Sequence, residues 1–88
     1  MDTTDVLILV RRERARQDEL KNAGRFKATC ADDYLDDAEK LAVLMEEVGE
    51  CARAVLERDR LVSDTHYANL KQELIQVAAV AVAWAESL

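Results

Sequence analysis

Three stretches of the chain repeat apolar residues at the spacing of an α-helix. In the first, Val6, Val10, Glu13, Gln17 and Leu20 fall on one stripe, in steps of three and four. The stripe is apolar at both ends and carries Glu13 and Gln17 in its middle. Thr3 or Thr4 stands where a cap is needed, with Asp5 in the first turn. Asn22-Ala23-Gly24 reads as the stop, because glycine takes the left-handed cap conformation at little cost. The predicted helix covers about residues 4 to 22.

A connection over 23–32 contains Phe26. Thr29, Asp32 and Asp33 are alternative caps for the second helix, and the pattern does not choose among them. Leu41, Leu44, Met45, Val48, Ala52, Val55 and Leu56 then mark a helical apolar face. The pattern fades at Glu57-Arg58-Asp59-Arg60. Ser63 is a suitable cap for a third helix, with Asp64 in its first turn, running to the C-terminus. From Val77 to Ala85 this helix is apolar on every side, so protein must surround it. Two helices of the same chain cannot do that completely. The pattern therefore predicts an all-α fold of three main helices, completed into a four-helix-type bundle by oligomerisation.

Composition narrows the picture. The chain has 88 residues, enough for one domain, and a domain this short buries only roughly 60% of its unfolded surface. With 2 glycines and no proline, a many-turned β sandwich or barrel is disfavoured. The net charge of −6 argues against a general nucleic-acid partner. Cys30 and Cys51 have neither metal-site spacing nor disulfide-scaffold density, which predicts a reducing, cytoplasmic setting. The apolar run Val6–Val10 follows acidic residues rather than the basic start of a signal peptide. The run from Val77 to Ala85 is half the length of a membrane span, so no membrane partner is expected.

The chemistry concentrates on the far side of the second helix, where Lys40, Val43, Glu47, Glu50, Cys51 and Ala54 fall together. Glu47 and Glu50 are neighbours at a spacing of three. On the third helix Glu73 and Gln76 share a face with Val80 and Trp84. Acids at such spacing usually line a solvated face, but a solvated face does not interleave with Val43, Ala54 and Val80. Partly buried glutamates that face one another must be protonated, paired with a basic residue or bound to a cation. Carboxylate oxygens suit a hard ion such as magnesium, which takes phosphate oxygens as further ligands. Gly49, inside the helix beside the acids, reads as a close approach of a helix or ligand, or as tolerated variation.

At these residues the chain resembles the MazG-like all-α nucleoside triphosphate pyrophosphohydrolases. The family carries Glu-Glu-x-x-Glu on one helix and Glu-x-x-Asp on a later one. The first string stands here as Glu46-Glu47-Val48-Gly49-Glu50 and the second as Glu73-Leu74-Ile75-Gln76. Glu13-Arg14-Ala15-Arg16-Gln17 is similar to a segment of small MazG-like proteins, and the resemblance extends over most of 11–88. It implies a single MazG-like domain over 1–88, assembled as a homodimer or homotetramer. It also implies hydrolysis of a nucleoside triphosphate to the monophosphate and pyrophosphate with magnesium or manganese. The implied metal ligands are Glu47, Glu50 and Glu73, with Gln76 at the place of the family aspartate. Gln76 offers a neutral oxygen where the family has a charge. Either Glu46, counted with the catalytic acids, compensates in part, or Gln76 orients a water.

Lys40, two turns before Glu47, is the first candidate for the phosphate tail; Arg16 and Arg53 are weaker ones, since each could instead pair with a nearby glutamate. Arg53 reads rather as a partner for a nearby glutamate. Trp84 either stacks on a base or belongs to the core. Glu13 and Gln17 either point toward the site or form an internal hydrogen-bonded pair. His66 and Cys51 have no ligand-spaced companions and read as ordinary residues. The alternatives to this reading are a catalytically impaired nucleotide- or metal-binding module, a structural helical oligomer, and, as a second enzymatic one, a phosphoribosyl-ATP pyrophosphohydrolase-like enzyme.

Overall fold

The computed structural model describes the backbone of residues 1–57 and 64–88, with the side chains of 64–67 left aside. The described residues form three helices, α1 (Thr3–Asn22), α2 (Asp37–Leu56) and α3 (Asp64–Glu86), and no strand. The all-α expectation holds at this level. The expected Ser63 cap and His66 lie outside the described detail.

The helix extents follow local chemistry. α1 starts on Asp2, not on a threonine: its carboxylate accepts from the Asp5 amide, and Asp5 accepts in return from the Asp2 amide. At the other end Gly24 has φ +75°, the left-handed conformation that lets the chain turn away. α2 starts later than Thr29, Asp32 or Asp33 would place it. Asp36 is the cap, in a reciprocal arrangement with Glu39. Thr29 and Asp32 instead close a tight turn, with the Thr29 amide donating to Asp32 at 2.7 Å and the Asp32 amide donating to the Thr29 carbonyl at 3.0 Å. The Lys21 ammonium pairs with Asp32 and ties this turn to the end of α1.

α3 is the shared support. α1 and α2 each pack along it and share no comparable interface with each other. Val10 meets Ile75 and Ala79 on one side, while Val43 and Leu44 meet Val80 and Ala83 on the other. Ala79 and Ala83 are completely buried. A small cluster of polar contacts ends the bundle. Buried Arg14 donates to Glu86 at 2.8 Å and to Asp18 at 2.6 Å. Lys40 donates to the Ser87 hydroxyl at 2.7 Å, and the Trp84 indole donates to Asp37 at 3.1 Å.

The packing of α2 corrects the simplest reading of its pattern. The residues turned to α3 are Lys40, Val43, Leu44 and Glu47, all buried or half-buried. The richer apolar stripe points outward, with Leu41 49% and Met45 55% exposed, and Val48 and Val55 also exposed. Leu74 and Val82 of α3 are exposed as well. Two helices of one chain thus leave α3 partly uncovered, as its all-round apolar pattern implied. Gly49 lies on the open side, where an added β-carbon meets nothing within 4 Å, so no helix crossing within the chain requires it. Among the described residues no helix is long and apolar enough to cross a membrane.

The two cap assignments are separable by experiment. Asp36→Ala should lower unfolding free energy by about 1 kcal/mol in urea titrations, the usual cost of losing a cap. Asp33→Ala, at an exposed position outside the helix, should stay within about 0.5 kcal/mol of the parent.

Candidate functional site

Because α1 and α2 lean on α3 without closing on each other, a cavity of about 300 Å³ remains between them. α1 contributes Glu13, Arg16 and Gln17; the connection contributes Phe26, Thr29 and Cys30. Val43, Glu46 and Glu47 of α2 form the opposite wall, and Gln76 and Val80 of α3 lie at the base. The antiparallel run of α2 against α3 is what sets Glu47 against Gln76 and Glu73.

Glu47 is the centre of the acidic cluster. Burial raises its pKa above the usual carboxylate range, and the charges of Glu73, Glu50, Glu13 and Glu46 push it further. Four acids thus converge electrostatically on one half-buried carboxylate. With its nitrogen turned to the acids, the Gln76 amide donates to Glu73 Oε2 at 3.1 Å and to Glu47 Oε2 at 3.2 Å. One neutral side chain therefore bridges two carboxylates that would otherwise repel. Turned over, the same amide presents its oxygen to the same two carboxylate oxygens.

The other expected residues fall in different places. Glu46 is exposed and lines the cavity. Glu50 is exposed and pairs with Arg53 at 2.7 Å, as the pairing reading of Arg53 held. Arg16 lines the cavity and donates to both oxygens of buried Glu13, at 2.9 and 2.7 Å. The bond to Glu13 chiefly, and the nearby Glu47 charge, raise its already high pKa. Glu13 and Gln17 both turn into the cavity, but Glu13 is bonded to Arg16 rather than to Gln17.

Lys40 and Trp84 stand outside the cavity lining. Lys40 is only 3% exposed, does not line the cavity, and its ammonium is engaged by Ser87. It locks the start of α2 to the end of α3 and stands apart from the cavity. Trp84 packs beside the cluster of Cys30, Val80 and Ala83 and donates to Asp37, away from the cavity lining. The periodicity gave no signal for Phe26, Thr29 and Cys30 as cavity residues, because they sit in a turn whose path depends on tertiary contacts. Cys51 is half-buried, and burial raises its thiol pKa, with Glu73 and Glu47 adding to the shift.

Among the described residues, no three His, Cys, Asp or Glu side chains converge tightly enough to hold an ion by themselves. The convergent donors are the two carboxylates of Glu47 and Glu73 with the Gln76 amide as third. Hard oxygen donors of this kind suit magnesium or manganese. No family model matches the chain, and no curated protein or solved structure matches it.

A raised carboxylate pKa has a defined sign in stability. The folded state holds the Glu47 proton more tightly than the unfolded chain does. Its contribution is therefore favourable below the ordinary carboxylate range and is lost as pH rises through the folded-state pKa. Glu47→Gln should accordingly raise the melting temperature at neutral pH and low salt. That advantage over the parent should shrink as pH falls into the ordinary carboxylate range, which paired thermal melts across pH will show.

Proposed function

We propose that the chain is a MazG-like, metal-dependent nucleoside triphosphate pyrophosphohydrolase, releasing a nucleoside monophosphate and pyrophosphate. The observation that carries this reading is the concentration of acid around half-buried Glu47 at the wall of a ligand-sized cavity. Such a cluster carries an electrostatic cost that a bound cation relieves. The cation class is magnesium or manganese, from the oxygen-only donor set.

Glu47 and Glu73 are the proposed ligands, with the Gln76 amide turning its oxygen inward when a cation is held. Glu50, one turn on, adds negative charge and is itself held by Arg53. When bound, the divalent ion neutralises triphosphate charge and lowers the pKa of a coordinated water. The protein's share is positioning. Arg16, half-exposed and beside Glu47, offers a guanidinium to phosphate oxygens at the cavity wall. Glu46, free of any ion pair among the described residues, faces the same cavity and is the remaining acid for orienting water.

Gln76 favours a second reading, a binding module that holds nucleotide or metal without turnover. A neutral amide weakens a cation cage relative to a carboxylate. Pyrophosphate release from a panel of ribo- and deoxyribonucleoside triphosphates, with magnesium or manganese, tests both. The enzyme reading expects release above background that falls at least about 100-fold in Glu47→Gln and Glu73→Gln, the scale of losing several kcal/mol of charge stabilisation. It also expects Gln76→Asp to raise release at limiting metal. Metal-dependent nucleotide binding without release from either parent or Gln76→Asp supports the module instead.

The outward stripe of α2 supports assembly with a second copy of the chain, as a homodimer or homotetramer. Leu41, Met45, Val48 and Val55 form a continuous apolar face with no partner among the described residues. Met45→Asp should leave helicity intact, because the residue touches water in the single chain. Sedimentation should then report a monomer where the parent is dimeric or larger. A parent that is monomeric at micromolar concentration overturns this part of the proposal.

A further inference from the structure

The cavity between α1 and α2 contains a polar group that the fold does not use. Gln17 is 8% exposed and lines the cavity, and its amide has no hydrogen-bond partner among the described residues. A buried amide left unpaired is costly, so such groups are almost always satisfied by protein, water or ligand. Thr29, equally buried on the same cavity, accepts from the Ala31 amide at 3.3 Å. Its hydroxyl proton has no acceptor among the described residues. The inner wall thus offers an amide donor, an amide acceptor and a hydroxyl donor.

The flanks of the cavity are apolar. Val43 and Val80, which pack together, form one apolar surface, and the partly exposed Phe26 ring adds another. Apolar flanks with a polar inner edge match a flat heteroaromatic ring, whose faces are apolar and whose rim carries adjacent donors and acceptors. The volume of about 300 Å³ is at the lower end for small-molecule pockets. Glu46, Glu47 and Arg16 share the cavity, so a ring held by Gln17 leaves its sugar and phosphates beside the acidic cluster.

We infer that this cavity binds the base of the nucleotide, and that Gln17 reads the base's hydrogen-bonding edge. The identification of the ring as part of a nucleotide rests on the metal–phosphate reading above; the cavity's need for a partner at Gln17 does not. Because the amide presents a donor beside an acceptor, it rewards any ring edge that carries both. It rejects a ligand that leaves the amide unpaired.

The test uses nucleosides without phosphate or metal, followed by amide and side-chain NMR of the full chain. Titration with cytidine, uridine, adenosine and guanosine should shift the Gln17 side-chain and Thr29 backbone signals saturably for at least one nucleoside. Gln17→Leu should weaken that nucleoside at least tenfold and yet raise the melting temperature, since it removes an unpaired buried amide. Gln17→Glu, of the same shape but without the amide donor, should weaken binding as well. The assignment is overturned if no nucleoside shifts these signals up to its solubility limit, in which case water alone serves Gln17. It is overturned equally if Gln17→Leu binds as the parent does, or melts lower. A parallel titration with magnesium and inorganic tripolyphosphate reports on the acidic cluster alone. Tripolyphosphate binding without nucleoside binding removes the base site and leaves the metal–phosphate reading standing. Nucleoside binding without tripolyphosphate binding does the reverse.

Discussion

α3 supports both other helices at once, and the remaining architecture is a consequence. Helices approach closely where side chains are small, and Ala79 and Ala83 are completely enclosed, one in each of the two apolar clusters on this helix. Val10 and Ile75 fill the α1 side, and Val43 with Val80 fills the α2 side. With both partners committed to α3, neither builds an interface with the other, and the gap between them becomes the cavity. The polar contacts at the bundle's end hold that spacing: Arg14 to Glu86 joins α1 to α3, and Lys40 to Ser87 joins α2 to α3. Breaking the Lys40 contact would leave a buried ammonium without its hydrogen-bond acceptor, whereas Arg14 would keep Asp18.

The same arrangement creates the electrostatic feature of the molecule. Glu47 must leave bulk water for α2 to pack its neighbours against α3, and it does so among other acids. Two devices ease the result. Arg16 places positive charge close by while bonding Glu13, and Gln76 bridges Glu47 and Glu73 through one amide. An aspartate at position 76 would add a charge to this cluster and remove the amide that bridges it. The glutamine thereby lets two carboxylates stand close together without a third charge.

α2 has two non-equivalent faces, and each has its own use. The face with fewer large apolar residues packs inside the chain, and it carries buried Lys40, whose ammonium is met by half-buried Ser87. The face with more of them remains open. Hydrophobic content alone therefore ranks faces by their need for cover and does not say which neighbour supplies it.

Helix positions were legible in the linear chain because they depend on local rules. Gly24 stops α1 through backbone freedom, and the apolar rhythm delimits α2 and α3 through the helical period. The caps were less legible where several acids compete: Asp36 prevails over Asp32 and Asp33 because Glu39 stands three residues on and reciprocates, while Lys21 draws Asp32 into another turn. The grouping of Glu47, Glu73 and Gln76 was also legible, since helical spacing puts each on an interleaved apolar face. Tertiary structure alone decided what lies between the helices. That Lys40 turns to Ser87 depends on how α2 lies along α3, and that Gln17 faces a cavity with Thr29 depends on how far apart α1 and α2 sit on α3. That separation is set by side-chain volumes on three helices at once, and no periodicity along one helix encodes it.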